Sequence, residues 1–158
     1  MVLLRRPASL GRYPSYLATQ FSKASQRLLQ ERLDIHGLRL HHFAVLAAMA
    51  DLGPSCQQEL CDCLDVDKSL MVGLVDDLEE RRYLTRERDP QDRRRYRVAI
   101  TDAGRAMLAN LHDAERDCQE ALLEPLDHSQ RSVLVSLLES VVANADALRL
   151  ATPAEVSA

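Results

Sequence analysis

The chain has 158 residues, a net charge of −4 and a 46% hydrophobic composition with no Trp and two Phe, so one compact domain with a largely aliphatic core is predicted. No apolar run approaches the roughly 18 residues of a membrane span. Residues 1–7 lack the long apolar stretch of a secretory signal, which predicts a cytoplasmic protein with no membrane partner.

Pro14 and Ser15 open a first helix, because Pro is tolerated in the first turn. Leu17, Phe21, Ala24 and Leu28 recur at alternating four- and three-residue steps, an apolar stripe that runs to about Leu33 before Gly37 breaks it. A second helix is predicted over 39–50, with Leu40, Phe43, Ala47 and Ala50 on one side. Gly53 and Pro54 end it, the first permitting left-handed dihedrals and the second unable to continue a helix. Ser55 and Gln58 match a capping box with Ser55 as N-cap, opening a short helix to about Cys63. Leu64, Asp65 and Val66 make a turn. Asp67 then caps a helix over 68–81 whose buried stripe is Met71, Leu74 and Leu78.

Strands are predicted over 83–88 and 95–100, with Pro90 at the bend and Val98 and Ile100 alternating with polar neighbours. Thr101 caps a long helix carrying Met107, Leu111, Ala114, Cys118 and Ala121. Pro125 breaks the chain. Asp127 caps a last helix with Leu134, Leu137, Val141, Ala145 and Leu148 on one face, and residues 151–158 form a tail expected to fray.

Two short helices joined by a tight turn, then a charged hairpin, predict a mostly α fold with a small β-hairpin wing: a winged helix-turn-helix over 38–101. The flanking helices, 13–36 and 102–148, carry heptad-like stripes that a small winged core does not cover, so they are expected to dimerise. Leu17, Phe21, Met107, Leu111, Cys118, Leu137 and Val141 are the residues expected at that interface.

Charge is concentrated in the hairpin. Residues 81–97 hold eight arginines against three acids, a surplus of five positive charges, while the remainder of the chain carries −9. An acidic protein with one arginine-rich hairpin is suited to a polyanion, and duplex DNA is the obvious one, since phosphate neutralisation drives non-specific affinity.

The order of parts from about residue 13 to 148 resembles the multiple antibiotic resistance regulator (MarR) family. Asp89-Pro90-Gln91-Asp92-Arg93-Arg94, followed by Ile100-Thr101-Asp102-Ala103-Gly104, is similar to that family's wing signature. Residues 57–60 and 74–79 are similar to its helix-turn-helix. The resemblance implies a homodimeric transcription regulator on a pseudo-palindromic operator in double-stranded DNA, with half-sites about 10 base pairs apart. It implies that Asp92 steadies an arginine and that Arg94 enters the minor groove, where a narrow A·T-rich tract has enhanced negative potential. Arg93 and Arg95 would contact phosphate, as would Lys68 and Ser69 at the amino end of the recognition helix. Ser55, Gln57 and Arg86 are also expected at the DNA. Val72 and Gly73 depart from the family's polar pattern: Val72 can touch a thymine methyl, and Gly73 reads nothing. Direct base readout is therefore expected to be sparse. Asp65 stands where a glycine is common, and Asp tolerates left-handed dihedrals.

The resemblance also implies release by a small aromatic or anionic ligand in a crevice lined from Tyr13, Tyr16, Arg39, His41, His42 and Phe43. The five histidines form no close ligand motif, so no metal and no cofactor is expected. Four cysteines, at 56, 61, 63 and 118, fit neither a zinc ribbon nor a disulfide framework and read as free thiols, with a cysteine redox sensor as an alternative. A second alternative is a winged module for protein interaction or non-specific DNA binding. No nucleophile–base pair or glycine-rich phosphate loop points to an enzyme.

Overall fold

The computed structural model describes residues 7–88 and 96–150. Helix α1 (Pro14–Leu33) leads through a 3-10 turn (Asp34–His36) to α2 (Leu40–Leu52), α3 (Gln57–Leu64) and α4 (Lys68–Glu80). Strands β1 (Leu84–Arg88) and β2 (Tyr96–Ile100) follow, then α5 (Asp102–Leu122) and α6 (His128–Leu150). Internal packing divides the chain into a unit ending at Gln119 and a second beginning at Glu120.

The core of the first unit gathers around α2. Val45, Leu46 and Met49 are completely buried, while Leu40, Phe43, Ala47 and Ala50 are only partly so. The expected one-sided stripe on this helix is thus its half-buried flank. The reason is that α1, α3, α4 and β2 all pack on α2, and a helix covered on several sides has no single apolar face. Helix α4 follows the expected pattern, with Met71, Leu74 and Leu78 buried and Val75 beside them. In α1 the buried residues are Leu29 and Leu33, whereas Leu17 and Phe21 stand exposed.

Turn chemistry fixes the joints. Asp65 caps α3 in the left-handed conformation at φ 51°, as its short polar side chain permits. Asp67 caps α4 by accepting a hydrogen bond from Leu70 N at 2.9 Å. The cap of α3 lies one residue later than expected. Cys56 is the N-cap, and its amide donates to the Glu59 carboxylate at 2.7 Å. Ser55 is instead held in a short bridge to Val98, their amides and carbonyls exchanging hydrogen bonds at 3.0 and 2.8 Å. That pairing outweighs the local box because it extends the hairpin.

The hairpin is antiparallel, with Leu84 opposite Ile100, Arg86 opposite Val98 and Arg88 opposite Tyr96. Leu84, Val98 and Ile100 are buried. Its base is locked to α5. The Thr101 hydroxyl donates to Arg82 O at 2.7 Å and accepts from Gly104 N at 3.0 Å. A side chain at Gly104 would collide with the Tyr83 carbonyl, so the Thr-x-x-Gly spacing is a packing requirement.

In the second unit, Asp127 and Gln130 form a reciprocal box, each side chain accepting from the other's amide at 2.9 Å. Helix α6 exposes Val133, Val135, Leu137, Leu138, Val141 and Val142. No helix among the described residues is long and apolar enough to cross a membrane.

Candidate nucleic-acid interface

The outward face of α4 begins with Lys68 and Ser69, both exposed, and continues with Val72 and Gly73, also exposed. The first turn of a helix presents unpaired backbone N–H groups and a positive dipole end. Lys68 adds the only cation of the helix, and its second half carries Asp76, Asp77, Glu79 and Glu80. Only the amino-terminal turn of α4 therefore has the polarity to approach phosphate.

Two of those carboxylates have a specific partner. Asp76 and Glu79 clamp the guanidinium of Arg86 from β1, and the Arg86 amide also donates to Glu79 Oε1 at 3.2 Å. Burial works against the charge on Arg86, but the hydrogen bond to Asp76 and the charge of Glu79 outweigh it and push its pKa up. Arg86, expected from sequence at the DNA, thus ties hairpin to recognition helix through these two carboxylates. Two further residues expected at the DNA are also turned inward. Ser55 is 5% exposed with its hydroxyl donated to Gly53 O at 2.9 Å. Gln57 is half-buried, its Nε2 shut from solvent with no hydrogen-bond partner among the described residues. Asp92, Arg93, Arg94 and Arg95 lie outside the described residues.

The residues expected to line one crevice divide between two. Arg39 and His42 border a groove of about 450 Å³ with Asp67, Ser69, Gly73 and Asp77. Phe43 lines another of about 480 Å³ with Phe21, Ser25, Leu29, Leu40 and Glu115. Tyr13 and Tyr16, on or beside α1, line neither, and His41 is exposed. The split follows from helix geometry, since neighbouring positions point about 100° apart.

His42 is buried and committed. Its Nδ1 accepts from Arg39 N at 3.1 Å, and its Nε2 sits 3.5 Å from Asp77 Oδ2 on α4. Burial lowers its pKa below the ordinary 6.5, opposed by Asp77 and reinforced by Arg81 and Arg39. A neutral His42 is therefore a structural link between α2 and the recognition helix. Arg81 makes a parallel link that sequence reasoning missed, donating to His36 O at 3.1 Å and Gly37 O at 3.0 Å.

Of the residues expected at a dimer interface, Leu111 and Cys118 are buried within the first unit, and Met107 packs on its core. Leu17, Phe21, Leu137 and Val141 are exposed. Burial raises the pKa of both Cys61 and Cys118, leaving little thiolate.

The MarR family profile matches residues 36–95. The HTH-type transcriptional repressor NicR of Pseudomonas putida is 32% identical over 100 residues, covering 63% of this chain and 63% of that protein. The matched region thus spans less than two thirds of that relative's length. Among solved structures, the PcaV transcriptional regulator of Streptomyces coelicolor in complex with its natural ligand is similar with a TM-score of 0.72 at 25% identity, covering 89% of this chain and 99% of that one. A cysteine-to-serine mutant of MarR from E. coli complexed with operator DNA is similar with a TM-score of 0.70 at 26% identity, covering 85% and 94%. Motif, topology and comparisons agree that residues 36–95 carry the winged helix-turn-helix of the MarR family.

Proposed function

We propose that the chain is a homodimeric cytoplasmic repressor of transcription that holds a pseudo-palindromic operator in double-stranded DNA and is released by a small ligand. The observation that carries this reading is the exposed Lys68–Ser69 turn of α4, tied through Arg86 to an arginine-rich hairpin. A relative named as a repressor and a structural relative solved with operator DNA support the same reading. The turn would sit at phosphates, and Arg94, steadied by Asp92, would enter the minor groove while Arg93 and Arg95 meet the backbone. Helices 13–36 and 102–148 would form the dimer. Leu17, Phe21, Leu137 and Val141 are exposed apolar residues that a second copy would cover. Ligand release is supported by PcaV having been solved with its natural ligand.

Selection of duplexes from a random library with the purified chain, followed by anisotropy titrations, tests the reading. A dimer by light scattering and tight binding to the selected duplex are expected, with Arg94→Ala weakening it. A protomer that stays monomeric at micromolar concentration, or one that retards no duplex in dilute buffer, overturns it. The exposed Val72 and Gly73 favour a second reading, a winged module without sequence preference. Equal affinity for selected and scrambled duplexes would establish that one instead.

A further inference from the structure

We infer that Arg88 and Tyr96, at the outer end of the hairpin, form a clamp for one backbone phosphate of the duplex, with Arg88 as the contact and Tyr96 as its positioning residue. The inference deepens the DNA-binding reading and rests on it. Side chains alternate along a strand. Leu84, Arg86 and Arg88 therefore share one face with their partners Ile100, Val98 and Tyr96. The inner part of that face is occupied: Leu84, Val98 and Ile100 are buried, and Asp76 and Glu79 of α4 grip Arg86. The last pair overhangs the core. Arg88 is exposed, Tyr96 is 53% exposed, and the guanidinium lies 6.0 Å from the centre of the ring.

Arg86 and Arg88 are thus two cations on one face with different fates. Arg86 has two carboxylates, whereas Arg88 has no carboxylate partner among the described residues. Two residues of strand carry Arg88 roughly 7 Å beyond Arg86 toward the hairpin tip. A helix in the major groove and a hairpin in the adjacent minor groove stand on either side of one sugar–phosphate strand. The hairpin face turned toward α4 is the one along which that strand would pass, and it is the face that presents Arg88. Stacking on an aromatic ring holds a guanidinium by its face and leaves its N–H edge free for the paired oxygens of a phosphate. It also lowers the rotamer freedom lost on contact. A phosphate carries no sequence information, so the clamp adds affinity and fixes register without selecting bases.

Anisotropy titrations of the full-length chain against a selected and a scrambled duplex, across a range of salt, test this. Arg88→Gln should weaken both duplexes by a similar factor, about tenfold at physiological salt, and reduce the slope of log affinity against log salt by roughly 2 for a dimer. Tyr96→Leu keeps apolar bulk but removes the π face, and should weaken binding about fivefold for a dimer. Tyr96→Phe keeps the face and should bind as the wild type does. In an Arg88→Gln background Tyr96→Leu should cost nothing more, a coupling that a merely structural tyrosine would not show. The salt slope counts phosphates within each variant, so a change in stability alone does not imitate its loss. An unchanged slope in Arg88→Gln overturns the inference, and so does a Tyr96→Leu loss that persists without Arg88. In both cases the wild type still binds DNA and the repressor reading stands, whereas a wild type that binds neither duplex sinks both.

Discussion

Two alanine substitutions at helical glycines should change stability in opposite directions. At Gly104 an added Cβ would lie 2.2 Å from the Tyr83 carbonyl oxygen and 2.8 Å from Ile100 Cγ1. The first obstacle is backbone, so the base of the hairpin must move away from α5. That strains the Thr101 amide, which donates to Tyr83 O at 3.0 Å, and the Thr101 hydroxyl bond to Arg82 O at 2.7 Å. Overpacking costs about 1–3 kcal/mol, each weakened hydrogen bond about 1 kcal/mol, and alanine returns at most about 1 kcal/mol of helix propensity. The net loss is about 2–4 kcal/mol, or roughly 5–15 °C in Tm for a chain of this size. At Gly73 nothing lies within 4 Å of the added methyl, so the propensity gain of about 1 kcal/mol stands alone and should raise Tm by roughly 2–4 °C. Thermal and urea unfolding followed by far-UV circular dichroism reads both. A Gly104→Ala protein as stable as the wild type would refute the packing account, because propensity would then outweigh a backbone collision.

The two arginine roles separate in salt titrations: Arg94→Ala should reduce the slope of log affinity against log salt by roughly 2 for a dimer, one per protomer. Arg86→Gln should leave that slope unchanged while lowering stability by about 1 kcal/mol, a modest value because its carboxylate partners are partly exposed; an equal loss of slope would restore Arg86 to the DNA surface. His42 supplies a pH signature. Its folded pKa lies below its unfolded value of 6.5, so its neutral form is fully compatible with the fold above pH 6.5, and stability declines as pH drops from there toward the folded pKa. Wild type minus His42→Gln, compared at pH 7.5 and 5.5, should show that decline, and a flat difference would contradict it. Thiol titration of the native protein should find Cys61 and Cys118 unreactive until unfolding, because burial excludes reagent and raises both pKa values; three or more fast thiols would revive the redox alternative.

Local signals in the sequence identified the elements that local chemistry determines. Asp65 and Asp67 define the turn between α3 and α4 through dihedral tolerance and capping, and both act within three residues. The stripe Met71, Leu74 and Leu78 was legible because α4 buries one face only. What sequence could not show depends on contacts far along the chain. The cap passed from Ser55 to Cys56 because Val98, more than forty residues away, pairs with Ser55. Arg86 looked like one more cation of a basic hairpin, and only the fold brings Asp76 and Glu79 against it. A hint was present in the acidic end of the recognition helix, which needs a cation nearby.

The distribution of charge along α4 explains why the hairpin matters so much to the proposed DNA complex. A recognition helix lying deep in the major groove would bring Asp76, Asp77, Glu79 and Glu80 toward phosphates, which like-charge repulsion opposes. Pairing two of them with Arg86 offsets one of those charges and, in the same contact, joins helix and hairpin. With Lys68 and Ser69 at the tip, Val72 apolar and Gly73 bare, the helix has little with which to distinguish bases. On the proposed reading, sequence preference would come from the hairpin and from the shape and stiffness of the duplex. Such a reader depends on the angle at which the hairpin meets DNA. The joints that set that angle, Thr101 and Gly104 at its base and Arg86 at its side, are therefore the places where substitutions distant from any base should alter operator choice.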